Sequence, residues 1–273
     1  MGERDREWVD FARDGATGIA RLRARFVRHR YDRHSHDDYA IGMTEAGSQT
    51  FDCRGGRHTT RPGALTLFNP GELHDGRATG TDGFVYRMLY VPVATMRALA
   101  GDVLARDGHE PLFASPLACD PATAAAITAA FDALATDDAM ARGEMLAMLA
   151  ARLLERHAGI RVADDTRASS ASLLRARALI EAHCAEPTDL SAIAREAGLS
   201  RFHLARAFRR RFGMSPSEFR RLRRLDRARG LLARGAAPCE AAADAGFADQ
   251  AHLTRLFKRA YGVTPGQYRR ATA

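Results

Sequence analysis

The sequence predicts a chain of two parts. An amino-terminal antiparallel β-barrel or jelly roll with accompanying helices is followed by an all-α domain, in which two helix-turn-helix units are joined by a linker helix. Three observations predict it. The last hundred residues carry one pattern twice: Ile193-Ala-Arg-Glu-Ala-Gly198-Leu-Ser with Phe208, Gly213 and Pro216, then Ala241-Ala-Ala-Asp-Ala-Gly246-Phe-Ala with Phe257, Gly262 and Pro265. Residues 20 to 92 are short apolar stretches broken by glycine turns. The charge is divided unevenly: of 41 Lys+Arg and 33 Asp+Glu, 20 and 9 fall from Leu173 onward, about +11 against −3 for the rest.

The barrel strands come first. Ala40–Thr44, Gln49–Cys53, Leu65–Phe68 and Phe84–Val91 are the candidates, separated by Glu45-Ala-Gly-Ser, Arg54-Gly-Gly-Arg, Arg61-Pro-Gly-Ala, Asn69-Pro-Gly-Glu and Thr79-Gly-Thr-Asp-Gly. Helical patterns take over after Pro92. One helix is expected over Ala94–Arg106. A second starts at Asp120-Pro121, with Asp as cap and Pro at the first helical position, and runs to about Ala135. A third runs from Met140 to His157 and stops at Gly159. Its stripe of Met145, Met148, Leu149, Arg152 and Leu153 suits either a core or a second copy of the chain. These elements make a sensing domain of residues 1–160. The small, polar, aperiodic stretch 161–172 reads as a linker, and 173–273 as the helical domain.

In the helical domain Asp189 is placed to cap a helix over Leu190–Ala197, which Gly198 ends. Ser200 caps the next, Arg201–Phe212. There Leu204 and Phe208 point inward, and Arg201, Phe202, Ala205, Arg206 and Arg209 face out. The second unit repeats this. Ala242 and Gly246 stand where Ala194 and Gly198 do, Asp249 is the cap, Leu253 and Phe257 are buried, and Gln250, Ala251, His252 and Arg255 are presented. Between the units an Arg-rich helix over Pro216–Leu232 holds the reading helices for successive major grooves about 34 Å apart. A capped helix start and a cationic face suit phosphate and base edges, so double-stranded DNA is the expected partner.

The run from Gly246 to Arg269, Gly-Phe-x-Asp-x-x-x-Leu-x-Arg-x-Phe-Lys-x-x-x-Gly-x-Thr-Pro-x-x-Tyr-Arg, resembles the AraC/XylS family of bacterial transcription regulators. The resemblance covers the last hundred residues. It implies that the second helix of each unit contacts bases: Arg201, Phe202, Ala205 and Arg206 in the first, with Arg209 beside them, and Gln250, Ala251, His252 and Arg255 in the second. Ala205 and Ala251 offer only a methyl group, whereas Arg206 and Arg255 suit direct readout.

A barrel ahead of a DNA reader implies a regulatory domain. His34-Ser-His36 and the stretch Gly63 to His74 resemble the two cupin motifs. The effector-lining candidates are His34, His36, Tyr39, Glu45, Asn69, Glu72 and His74, suited to a polar small molecule. The cupin metal pattern also calls for a Glu where Ala40 and Ile41 stand, so no metal or other cofactor is assigned. A cupin metalloenzyme tethered to DNA, using His34, His36 and His74, is the alternative.

The charged first residues do not read as a signal peptide, and no run is long enough to span a bilayer. Cys53, Cys119, Cys184 and Cys239 form no Cys-x-x-Cys pair, as expected of free thiols in the cytoplasm. Nothing resembles a Ser/His/Asp arrangement or a phosphate-cradling loop, so no catalytic role is assigned. The expected partners are DNA, the effector, a second copy of the chain and RNA polymerase, with no membrane.

Overall fold

The computed structural model describes residues 6–104, 110–162 and 169–272. Contacts divide the chain into unit 1, Met1–Thr136 with Met145–Asp164, and unit 2, Asp137–Glu144 with Asp165–Ala273.

Unit 1 is built on ten strands: β1 (Trp8–Arg13), β2 (Ala20–Phe26), β3 (Arg30–His34), β4 (Tyr39–Gly47), β5 (Gln49–Cys53), β6 (Gly56–Thr59), β7 (Ala64–Phe68), β8 (His74–Ala78), β9 (Phe84–Val91) and β10 (Leu117–Cys119). They form two antiparallel sheets, ordered β1-β2-β9-β4-β7-β10 and β3-β8-β5-β6. Alternation assigns the faces. Leu22, Ala24 and Phe26 of β2, Ala40 of β4 and Phe84, Tyr86 and Met88 of β9 turn to one side. There they pack with Phe51, Cys53 and Phe68 into the barrel core.

The other face of the larger sheet carries Arg23, Glu45 and Arg87, with both guanidiniums on the Glu45 carboxylate. Three helices belong to this part of the chain: α1 (Val93–Leu104), α2 (Pro121–Ala133) and α3 (Ala139–His157). The expected end of α1 at Arg106 lies outside the described residues. Asp120 caps α2, accepting from the Ala122 and Thr123 N–H groups. In α3, Leu149 and Leu153 are buried, Met145 and Met148 half-buried and Arg152 exposed.

Unit 2 is helical: α4 (Ser170–Ala182), α5 (Leu190–Glu196), α6 (Arg201–Phe212), α7 (Pro216–Ala233), α8 (Pro238–Asp244), α9 (Gln250–Tyr261) and α10 (Pro265–Thr272). Two differences concern boundaries. Residues 163–168 of the expected linker lie outside the described residues, while Ser170–Ser172 form the first turn of α4, whose cap Ser169 accepts from the Ser172 N–H. The start of α3 groups with unit 2, because Met140 is fully buried among Leu173, Ala176 and Ile180.

Each helix-turn-helix has its own core. The first gathers Ile193, Ala194, Leu204 and Phe208 with Phe219 of α7. The second gathers Ala241, Ala242, Leu253 and Phe257 with Leu225, Ala228 and Leu232 of α7. One helix therefore serves both cores. Not all of its arginines face solvent. Arg220 is only 4% exposed and donates to the Cys184, Glu186 and Thr188 carbonyls. Arg224 donates to Cys184 and Glu186, and Arg227 to Asp244 at the end of α8. Orphan carbonyls beyond helix ends attract cationic donors, which accounts for this use of charge. Among the described residues no helix is long and apolar enough to cross a membrane.

Candidate functional site

The two turns of unit 2 are built alike. In the first, the Gly198 N–H donates to Arg195 O and the Leu199 N–H to Ala194 O. In the second, Gly246 donates to Ala243 O and Phe247 to Ala242 O. This is the left-handed glycine stop in which two backbone donors reach back into the last turn. Gly198 and Gly246 have φ of 69° and 78°. Gly246 has a further constraint, since a Cβ there would lie 2.2 Å from the Ala185 carbonyl oxygen. Each turn feeds a capped helix: Ser200 Oγ accepts from the His203 N–H, and Asp249 Oδ1 from the His252 N–H at 2.6 Å. Asp189 occupies the cap position of α5 without a side-chain cap bond, and its carbonyl accepts from Ala192 and Ile193 instead.

The candidate reading residues divide unequally. On α9, Gln250, Ala251 and Arg255 are exposed and His252 half-buried, while Leu253 and Phe257 are fully buried. On α6, Arg209 is exposed, and Arg201 and Arg206 are half-buried. Phe202 and Ala205 were expected to face out but are each 3% exposed. A ring and a methyl group lose no hydrogen bond on leaving water, so burial favours them. The Phe202 ring lies edge-on to His203 and beneath the Arg206 guanidinium, 5.9 Å from its centroid.

In unit 1 three histidines converge. His34 ends β3 and pairs across the sheet with His74, which opens β8, while His36 lies in the loop after β3. The ring centroids of His34 lie 4.8 Å from His36 and 4.5 Å from His74, and those of His36 and His74 are 5.2 Å apart. His34 Nδ1 donates to the Asp32 carbonyl at 2.7 Å, and His74 Nδ1 to that of Glu72 at 2.9 Å. His74 stacks on Phe68 at 3.8 Å, and His36 meets Tyr90 at 4.9 Å. Burial, then the nearby His74 and His34, brings the His36 pKa down to about 4, and burial also lowers that of His74.

The other four candidates do not join them. Tyr39 is buried against Phe113 and shares the strand face of Ile41 and Glu45, opposite to Ala40 and the barrel core. Glu45 is held by Arg23 and Arg87, whose hydrogen bonds lower its pKa against a desolvation that raises it. Asn69 clips the Phe113 backbone through both its amide atoms. Glu72 accepts from the Asn69 N–H and pairs with Arg54. These are loop and sheet fastenings.

Aromatic residues take their place around the cluster: Tyr31, whose ring lies 5.6 Å from His34, and Tyr90. The Tyr31 hydroxyl bonds that of Tyr86 at 2.8 Å. The signal for Tyr86 and Tyr90 was the alternation Phe84-x-Tyr86-x-Met88-x-Tyr90, which sets both on one face of β9.

Comparison with known proteins agrees with both halves. A family profile described as "AraC-like ligand binding domain" matches residues 17–154, and one described as "Helix-turn-helix domain" matches residues 193–271. The chain is 27% identical over 233 residues to an uncharacterised HTH-type transcriptional regulator of Bacillus subtilis, YbfI, covering 85% of this chain and 84% of that one. Among solved structures, a transcriptional regulator of the AraC type from Chromobacterium violaceum is 31% identical, covering 38% of this chain and 93% of that one at a TM-score of 0.36. An apo ToxT variant from Vibrio cholerae is 14% identical, covering 96% of this chain and 100% of that one at a TM-score of 0.41.

Proposed function

Because this chain belongs to the AraC family of helix-turn-helix transcription regulators, we propose that it reads a two-part DNA operator through α6 and α9, under the control of a polar small molecule held beside His34, His36 and His74. The observation that carries the reading is the repeated build of unit 2, with the same glycine stop and a capped helix twice, both packed on α7. Capped helix starts leave backbone N–H groups for phosphate, and exposed Gln250 and Arg255 offer donors to base edges. At the other site, imidazole and phenol groups on apolar walls suit a polar ligand of modest size. The finer assignments belong to the same reading: a second copy as partner, which the half-buried Met145 and Met148 of α3 support, contact with RNA polymerase, residence in the cytoplasm, and binding rather than turnover of the effector.

Binding of the full chain to its own upstream DNA and to scrambled DNA, at physiological salt, tests the proposal. Arg255→Ala is expected to lose about 1–3 kcal/mol and to relax discrimination at one base pair, whereas Lys258→Ala weakens all sequences alike. Equal affinity of the unaltered chain for both DNAs refutes it.

A further inference from the structure

Resting on the reading of the histidine cluster as the effector site, we propose that His34, His36 and His74 hold the protonated primary amino group of a small molecule whose remaining body is apolar. One ring nitrogen from each histidine lies within 4.8 Å of the others. A primary ammonium carries three N–H donors in tetrahedral directions. Hydrogen bonds of about 2.9 Å along those directions set three acceptors about 4.7 Å apart. The span of the cluster meets that requirement as the rings stand. Ligands on a metal ion, at ~2.0–2.1 Å, sit about 3.3 Å from one another, closer than this span.

The rings are held as acceptors. With Nδ1–H of His34 committed to the Asp32 carbonyl and that of His74 to the Glu72 carbonyl, each of these rings carries its lone pair on Nε2. His34 and His74 are paired across β3 and β8, and His74 rests on Phe68. The loop that bears His36 is tied down by the Gly71 N–H, which donates to the His36 carbonyl at 2.7 Å. A cluster of fixed acceptors rejects carboxylates and phosphates, whose oxygens are acceptors too. It favours donors, and a charged donor above a neutral one.

The surroundings suit a cation on a carbon body. The fixed charges that bear most on His36 and His74 are those of Asp37, Glu72 and Asp75, all acidic. Arg54 offsets Glu72 and, at 3.9 Å, Arg77 partly offsets Asp75, which leaves exposed Asp37 beside His36. The rings of Tyr31 and Tyr90 flank the cluster, 5.6 Å from His34 and 4.9 Å from His36. Aromatic faces attract organic ammonium ions. Tyr31, Tyr90, Ala78 and Leu117 are only partly buried where they pack on the barrel core, and they supply apolar surface for the rest of the molecule. An aliphatic amine, which titrates near ~10 as lysine does, carries its charge at neutral pH.

The test uses the chelator-treated full chain in a buffer free of amines. Calorimetric titration compares 2-phenylethylamine with 2-phenylethanol, with 3-phenylpropionate, and with the N,N,N-trimethyl derivative of the amine, which keeps the charge and has no N–H. Saturable binding of the amine is expected, at least about tenfold tighter than that of each analogue. His36→Phe keeps a ring and removes the acceptor. It is expected to weaken amine binding at least about tenfold with unchanged circular dichroism. His74→Phe is expected to act likewise, and half-exposed His36 keeps the test decisive if the buried His74 variant does not fold. The absence of saturable amine binding up to about 10 mM overturns the proposal. So does equal binding of the carboxylate or of the trimethyl derivative, or binding indifferent to His36→Phe. DNA affinity with and without 2-phenylethylamine separates the proposal from the effector reading. Amine bound at the histidines with unaltered DNA affinity supports the amine site and removes its regulatory role. A molecule without an amino group that needs His36 and shifts DNA affinity, while the amine does not bind, overturns the amine class and leaves the regulator intact.

Discussion

Glu7 fastens the start of the barrel through a single carboxylate oxygen. Its Oε1 accepts from the N–H groups of Val27, Arg28 and His29 at 2.7, 2.7 and 3.0 Å. Those three backbone donors hold its pKa at about 2, against 4.5 for a free Glu. The folded group stays ionised where the unfolded one has taken a proton. Its contribution is therefore complete above pH 4.5 and disappears as pH falls towards 2. Glu7→Gln is expected to melt below the unaltered chain at pH 7, with the gap closing towards pH 2; parallel melting temperatures across that range contradict the assignment. At the same scale, the three histidines were legible in the sequence because His34-Ser-His36 and His74 flank candidate strands. Tyr39 and Glu45 were misplaced for a physical reason. From Tyr39 to Gly42 every residue of β4 is buried, so hydropathy does not mark which parity of the strand faces the barrel core. Tyr31 was not singled out because its hydroxyl partner, Tyr86 of β9, is distant in sequence.

The α8–α9 turn is sensitive to a single added atom. Gly246 combines a φ of 78° with a carbonyl oxygen 2.2 Å from where a Cβ would stand. Gly246→Ala is expected to destabilise unit 2 by about 2 kcal/mol or more, read by chemical denaturation, because the left-handed backbone and the close approach add. Gly198, with open space around it, is expected to show only the backbone part. A larger loss at Gly198 than at Gly246 contradicts this account. The helix-turn-helix elements were legible because glycine, phenylalanine and proline recur at fixed spacing. The strand β2 was not singled out, although Ala-Arg-Leu-Arg-Ala-Arg-Phe alternates faithfully. Its arginines suggest a solvated segment, yet Arg23 pairs with Glu45 and Arg21 lies over Phe131. Likewise, the Arg-rich sequence of α7 does not show that Arg220 and Arg224 donate to carbonyls beyond α4.

At the scale of the whole molecule, α7 fixes, under the proposed reading, how α6 and α9 address a duplex. Phe219 near its start belongs to one core, and Leu225, Ala228 and Leu232 to the other. Such a helix sets a fixed span. Inserting about 5 or about 10 base pairs between the operator halves is expected to reduce affinity to that of a single unit in both cases, measured by fluorescence anisotropy. Recovery at the full helical turn contradicts a rigid span. The burial pattern of α9 has a consequence for retargeting. Leu253 and Phe257 anchor the helix from within, and Gln250, Ala251 and Arg255 stand clear of that anchorage. Under the proposed reading, new operator preferences are thus open to substitution at the outward positions of α9 without disturbing the scaffold. The enclosed α6, with Phe202 and Ala205 built into its surroundings, offers far less latitude, so diversification of binding preference among descendants of this chain is expected to concentrate in the second half of its reader.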